Sequence, residues 1–231
     1  MQHIKHIFFD LDHTIWDFDR NAKETLLELY EVHQLRELGL QSADEFIERY
    51  TENNHRLWAK YHLGEIDKET LRAERFRKTF LEMGVKPHLV PHQFEEDYVN
   101  TSPTKTNLFD GAQPVLAYLQ QKYALHIISN GFKETTLTKM RVSGLNPYFT
   151  QVIISEDVGV NKPNPTIFKY ALDKAGAKKE ESIMIGDSVE ADIRGAQDFG
   201  IPAIFFNPLN IPQPGDVKWQ INHLNELLDH F

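Results

Sequence analysis

Cysteine is absent from the 231-residue sequence. Disulfide staples, thiolate nucleophiles and cysteine-based zinc sites are therefore excluded. The absence also agrees with a reducing compartment, so a cytoplasmic location is expected. Long hydrophobic runs are missing too. The apolar stretch near the start, Ile7-Phe8-Phe9, is too short for a signal-peptide core or a membrane span, and no membrane association is expected. Positive charge is in short supply: 25 Lys and Arg stand against 34 Asp and Glu, a formal net charge of −9. Such a chain is a poor partner for a nucleic acid polymer, which rewards basic surfaces. A small anionic substrate stays open, because local donors or a metal outweigh the global charge. Internal repeats and low-complexity stretches are also lacking.

What is present is an ordinary globular composition, 41% hydrophobic and 26% charged. The length fits one large domain, or a core domain plus a smaller one. Ile4 to Phe9 reads as a short buried strand. From there to about residue 103 the pattern is helical. Leu26, Leu27, Tyr30 and Leu38 lie broadly on one face. Ser42 with Glu45 makes a capping box before Phe46, Ile47, Tyr50, Leu57, Trp58 and Tyr61. Asp67 caps a third helix that Gly84 ends, and Pro91 opens a fourth running to about Val99.

After Pro103 short apolar strands alternate with amphipathic helices. The strands are Leu125 to Ile128, Gln151 to Ile154, Ser182 to Ile185 and Ala203 to Phe206. The helices run over about 112–122, 133–142, 165–175 and 189–199. This alternation predicts an α/β fold, a parallel sheet covered on both faces. Residues 1–16 and 104–231 are expected to form that core, and 17–103 a small inserted helical domain.

Three strands end in polar clusters: Asp10-Leu11-Asp12, Ser129-Asn130-Gly131 and Gly186-Asp187-Ser188. In open parallel sheets, ligands bind beyond the carboxyl ends of the strands, so these clusters converge. Lys162, after the Gln151 strand, reaches the same edge. Asp10, Asp12 and Asp187 would repel one another in one cleft. A hard cation relieves that, and Mg²⁺ suits carboxylates, waters and a substrate phosphate. With Ser129 and Lys162 as donors, the set suits a phosphoryl group. In an extended segment, side chains two residues apart share a face. Asp10 and Asp12 can then divide the work, one attacking phosphorus and one moving protons.

These residues resemble the haloacid dehalogenase (HAD) superfamily of phosphotransferases. Four motifs carry the resemblance, in order: Asp10-Leu11-Asp12-His13-Thr14, Ser129-Asn130-Gly131, Lys162-Pro163-Asn164-Pro165, and Gly186-Asp187-Ser188-Val189-Glu190-Ala191-Asp192. The resemblance implies a Rossmann-like core with a four-helix cap inserted after the first motif. It implies Asp10 as nucleophile and metal ligand, and Asp12 as general acid/base, lending its backbone carbonyl to the metal. Ser129, Asn130, Gly131 and Lys162 hold the phosphoryl group, with Lys162 also steadying Asp10. Asp187 completes the Mg²⁺ ligands, and Thr14 and Asp192 stand behind them. Thr14-Ile15-Trp16-Asp17-Phe18 resembles the nucleotidase-like branch.

Taken singly, each motif has a plain reading. Asp-x-Asp and Ser-Asn-Gly are common turns, a lone lysine is usually solvated, and Asp192 suits the first turn of a helix. Their joint occurrence in order favours the chemistry. The eleven histidines show no zinc or iron spacing. His13 is a candidate pocket residue, Trp16 and Phe18 are equally open to a pocket or a core reading, and Trp58 and Tyr61 are expected in a core. The expected activity is hydrolysis of a small phosphorylated metabolite through an aspartyl-phosphate, foremost a nucleoside 5′-monophosphate. Phosphoglycolate or a sugar phosphate comes next, then phosphomutase or 2-haloacid dehalogenase activity. Asp12 argues against the dehalogenase, and the complete set of Asp10, Asp12, Lys162 and Asp187 argues against an inactive binding scaffold. A monomer or homodimer is expected.

Overall fold

In the computed structural model, which describes residues 3–231, the apolar segment after Lys5 forms the central strand of a six-stranded parallel sheet. The strands are β1 (His6–Phe9), β2 (Ala124–Ser129), β3 (Gln151–Ile154), β4 (Ser182–Gly186), β5 (Ala203–Phe206) and β6 (Gln220–Ile221), in the spatial order β3-β2-β1-β4-β5-β6. Alternate residues of each strand face opposite sides. Ile7 and Phe9 join Leu125, Ile127, Ile183, Ile185, Ile204 and Phe206 in one apolar layer. Phe8 joins Ile128, Met184, Ala203 and Phe205 in the other. Both faces are buried, which is why these strands read as continuous apolar runs.

The helices are α1 (Phe18–Val32), α2 (Ala43–His62), α3 (Lys68–Glu82), α4 (Phe94–Thr101), α5 (Ala112–Leu119), α6 (Lys133–Val142), the single turn α7 (Ser155–Val158), α8 (Pro165–Ala175) and α9 (Gly195–Phe199). Helices α5 and α6 pack on the first layer through Val115, Leu116, Leu119 and Met140. Helices α8 and α9 pack on the second through Ile167, Phe168, Ala171 and Ala196.

The chain divides into two compact units: Met1–Phe18 with Thr106–Phe231, and Asp19–Lys105. These boundaries fall two residues after those expected from sequence, at each junction. The helical unit has its own core, in which Phe46, Phe76, Phe80 and Phe94 meet at ring-centroid distances between 4.8 and 5.7 Å. Ser42 accepts from the Glu45 N–H at 3.2 Å, one half of the expected capping box, and Asp67 caps α3 by accepting from the Thr70 N–H at 2.8 Å.

Several local readings need correction. Pro91 does not open α4: its carbonyl accepts from the Phe94 N–H in a preceding turn, and the helix starts at Phe94. Leu27 is exposed, and Leu38 lies in a separate 3₁₀ turn. Helix α5 ends at Leu119, and the first strand begins at His6. Trp58 and Tyr61 are only half-buried, meeting each other edge to face. The helix expected over 189–199 is π-helical over Val189–Arg194 before continuing as α9.

Candidate active site

The sheet order reverses direction at β1, with β2 and β3 to one side and β4 to β6 to the other. The crevice at the carboxyl end of β1 is therefore the topological switch point, where α/β sheets bind ligands. Asp10 stands there, its N–H donating to the Ile185 carbonyl at 2.9 Å. The chain then folds back on itself: the N–H groups of Ile15 and Trp16 both donate to the Leu11 carbonyl, at 2.9 and 2.8 Å. Asp12 is thus held in a closed turn. Ser129 is the last residue of β2, and Asp187 directly follows β4.

Lys162 connects the parts. Its side chain is fully buried, and Nζ donates to Asp10 Oδ1 and Asp192 Oδ1, each at 2.6 Å. Its backbone is fixed from the neighbouring loop. The Lys162 N–H donates to Asn130 Oδ1 at 2.8 Å, and Asn130 Nδ2 donates to the Lys162 carbonyl at 3.0 Å. The Lys162-Pro163 peptide bond is cis. Asp192 reaches Lys162 because the π-helical turn inserts an extra residue. The Ser188 carbonyl accepts from the N–H groups of both Asp192 and Ile193, at 2.9 and 3.2 Å. The Ser188 N–H in turn donates to Asp192 Oδ2 at 3.0 Å. Only a glycine fits beneath: a Cβ on Gly186 would lie 2.3 Å from Asp192 Oδ2.

Gly131 opens a second space. A Cβ there would lie 2.8 Å from Thr136 Oγ1, 3.1 Å from Ser129 Oγ and 3.3 Å from Asp12 Oδ2. Thr136 Oγ1 is buried and has no hydrogen-bond partner among the described residues. A hydroxyl pair, a carboxylate oxygen and bare backbone thus face one small volume, a setting for a compact polar group.

Carboxylate oxygens of Asp10, Asp187 and Asp192 lie within 4.8 Å of one another. Burial pushes the Asp10 carboxyl well above its usual range; Lys162 opposes this, and the charges of Asp192 and Asp187 add to it. Burial, reinforced by Asp192, pushes Asp187 up to about 8, against Lys162 and the hydroxyl of Thr14, which donates to Asp187 Oδ1 at 3.2 Å. Burial alone would lower the Lys162 ammonium, but Asp10 and Asp192 outweigh it and raise its pKa. Three carboxylates against one ammonium leave an excess of negative charge in a buried, all-oxygen site. That donor set fits a hard divalent cation such as Mg²⁺.

Residues 4–200 match the family model of haloacid dehalogenase-like hydrolases. The chain belongs to that family. The pyrimidine 5′-nucleotidase PynA of Streptococcus pneumoniae is 30% identical over 97% of this chain and 94% of its own length. The pyrimidine 5′-nucleotidase YjjG of Escherichia coli is 31% identical over 96% and 95%. Among solved structures, the HAD-hydrolase YfnB of Bacillus subtilis, bound to magnesium, superposes with a TM-score of 0.87 at 28% identity, covering 98% of each chain.

Against this HAD fold, the sequence-predicted residues divide into three groups. Asp10, Asp187, Asp192 and Lys162 meet directly, with Thr14 on Asp187. Ser129, Gly131 and Asp12 surround the second space, and the Gly131 N–H donates to Ser129 Oγ at 3.0 Å. Asn130 lies in the same turn, and its side chain ties that turn to the Lys162 loop. Of the two readings open for Trp16, the structure takes the core. The residue is 0% exposed within the first apolar layer and is a core residue rather than a pocket wall. His13 and Phe18 are half-buried beside each other, at a ring distance of 4.8 Å.

Lys139 and Thr136, both on α6, escaped the sequence reading. Lys139 is 5% exposed, and its Nζ donates to Asp12 Oδ1 at 2.6 Å. The available signal was weak: α6 reads Lys-Glu-Thr-Thr-Leu-Thr-Lys-Met-Arg-Val, with polar residues on every face. The partner of Lys139 is also 127 residues away.

Proposed function

We propose that this chain is a Mg²⁺-dependent phosphate monoester hydrolase acting on nucleoside 5′-monophosphates, pyrimidine nucleotides foremost. The observation that carries the reading is the buried Asp10–Lys162–Asp192 relay beside Asp187, next to the polar space at Gly131. The names of PynA and YjjG support the choice of substrate. Mg²⁺ would be held by Asp10, Asp187 and the Asp12 backbone carbonyl, and when bound neutralises charge on the phosphoryl oxygens.

The chain's own residues do the rest. The Asp10 carboxylate attacks phosphorus as the bond to the ester oxygen breaks. Asp12 gives its proton to the departing oxygen, then takes one from the water that hydrolyses the aspartyl-phosphate. Lys162 orients Asp10 and, with Ser129 and the Gly131 backbone, stabilises the phosphoryl group. Asp192 holds Lys162 in place. No helix of the described residues is long and apolar enough to cross a membrane.

The test is phosphate release over a panel of nucleotides, sugar phosphates and phosphoglycolate, with and without Mg²⁺. Wild-type protein should release phosphate only with the metal, fastest from pyrimidine 5′-monophosphates. Asp10→Asn should release none; surviving activity in that variant refutes the nucleophile.

A further inference from the structure

We propose that Lys139 is a positioning residue that presents one chosen oxygen of Asp12 to the leaving group. The inference rests on the reading of Asp12 as general acid/base. Asp12 has two carboxyl oxygens, and the structure makes them unequal. Oδ1 accepts from Lys139 Nζ at 2.6 Å. Oδ2 faces the other way, 3.3 Å from the position a Gly131 Cβ would take and thus toward Ser129 Oγ and Thr136 Oγ1. The oxygen aimed at the phosphoryl space is Oδ2, and Oδ1 is the handle by which it is held.

The handle is built to stay put. Lys139 rises from α6, which begins just past the Ser129-Asn130-Gly131 turn. Its ammonium lies 4.2 Å from the centroid of the Trp16 ring and 5.4 Å from that of Phe18. Aromatic faces attract a cation without accepting its protons in strong bonds, so they confine Nζ while leaving it to donate to Asp12. This also gives the buried Trp16 a use. Its ring sits in the core and forms the wall that directs Lys139. A surface lysine would hold Asp12 loosely, whereas a lysine side chain 6% exposed has few rotamers to choose from.

The consequence is confined to proton transfer. As Asp10 bonds to phosphorus, the phosphorus–ester bond breaks and the proton on Asp12 Oδ2 passes to the ester oxygen. Misplacing Oδ2 slows that transfer and leaves the attack of Asp10 in place. An ester whose leaving group is a weak base needs the proton least. Phenyl phosphate and p-nitrophenyl phosphate are close in size and differ in just this property, phenolate being the more basic.

The experiment measures kcat/KM for both esters with Mg²⁺ present, in wild type, Lys139→Met, Lys139→Arg and Asp12→Asn. Where turnover stalls, the burst of phenol or nitrophenol replaces kcat/KM. Lys139→Met should lose about tenfold more on phenyl phosphate than on p-nitrophenyl phosphate. Asp12→Asn should show the same bias, larger, and Lys139→Arg should move it back toward wild type. Equal losses on both esters in Lys139→Met, while Asp12→Asn is biased, overturn the role of Lys139 alone. An unbiased Asp12→Asn overturns the acid assignment, and the proposal with it. If Lys139→Met fails to fold, Lys139→Gln measured against Lys139→Arg gives the same comparison.

Discussion

Replacing Gly186 with alanine should expel Asp192 from its seat. The new Cβ would lie 2.3, 2.4 and 2.6 Å from the Oδ2, Cγ and Cβ atoms of Asp192. No rotamer change relieves the contact with Asp192 Cβ, so the turn that carries Asp192 must shift and take the carboxylate with it. The backbone of Gly186 lies outside the left-handed region, so alanine adds no strain of its own. What is lost is the pair of hydrogen bonds from Lys162 Nζ and the Ser188 N–H, at 2.6 and 3.0 Å. Bonds to a charged group contribute roughly 1.5–3 kcal/mol each. Relief of repulsion among the carboxylates offsets part of this, so a net loss of about 3 kcal/mol is expected. In a domain of this size that lowers Tm by roughly 6–12 °C.

The decisive assay is a double-mutant cycle by urea unfolding of the full chain. Asp192→Gly removes the whole side chain, Cβ included. In that background the three nearest atoms are gone, and Gly186→Ala should change stability by less than about 1 kcal/mol. The two substitutions should thus be coupled by at least about 2 kcal/mol. Additive losses, or a Gly186→Ala variant as stable as wild type, would refute the steric account.

Two further outcomes concern parts away from the site. His126 is buried against Phe8 and within 3.1 Å of His6, and burial, aided by His6, lowers its pKa from 6.5 to about 4. The unfolded chain therefore binds the proton first, so stability should fall as pH drops from 6.5 to 4 and level off below, by at most about 3 kcal/mol. His126→Phe should flatten that segment in urea titrations at stepped pH; an unchanged slope means the proton goes elsewhere. In the helical unit, the buried guanidinium of Arg75 donates twice to Glu95, at 2.9 and 2.8 Å, beneath the Tyr98 ring. Glu95→Ala strands that charge and should destabilise this unit by about 3 kcal/mol, read as a lower first transition in thermal unfolding. A shift under about 1 kcal/mol would mean the Phe76 and Tyr98 rings suffice to hold the cation.

Strand-end carboxylates were legible because a parallel sheet sorts chemistry by position. An apolar run buried on both faces announces itself, and the polar residue that stops it must stand at the ligand edge. Asp10, Ser129 and Asp187 were found by that logic, and Lys162 by its place after β3. What escaped lies where local pattern carries no period. The π-helical turn that seats Asp192 depends on Gly186, six residues earlier and across a strand end. Lys139 and Thr136 sit on a short helix without a clean apolar stripe, and their meaning comes from partners at Asp12 and Gly131. Trp16 stayed open between pocket and core, because nearness to Asp12 in sequence does not tell which way a ring points. The turn closed by the Leu11 carbonyl sends its ring into the core.

The place of β1 in the middle of the sheet also sets an order of assembly on the ribosome. Its two neighbours begin at Ala124 and Ser182, so the strand that carries Asp10 is made first and is flanked on both sides only once β4 has been made. At about 5–20 residues per second, some 10–30 seconds of synthesis separate Phe9 from its second partner. During that interval the helical unit is already complete, with its entire buried core drawn from Leu26 to Tyr98. The nascent chain can therefore sequester its helical half while the first strand waits, exposed and apolar. That makes Ile7-Phe8-Phe9 the strand of the sheet that waits longest for its second neighbour, and leaves the site around Asp10 incomplete until β4 has been made.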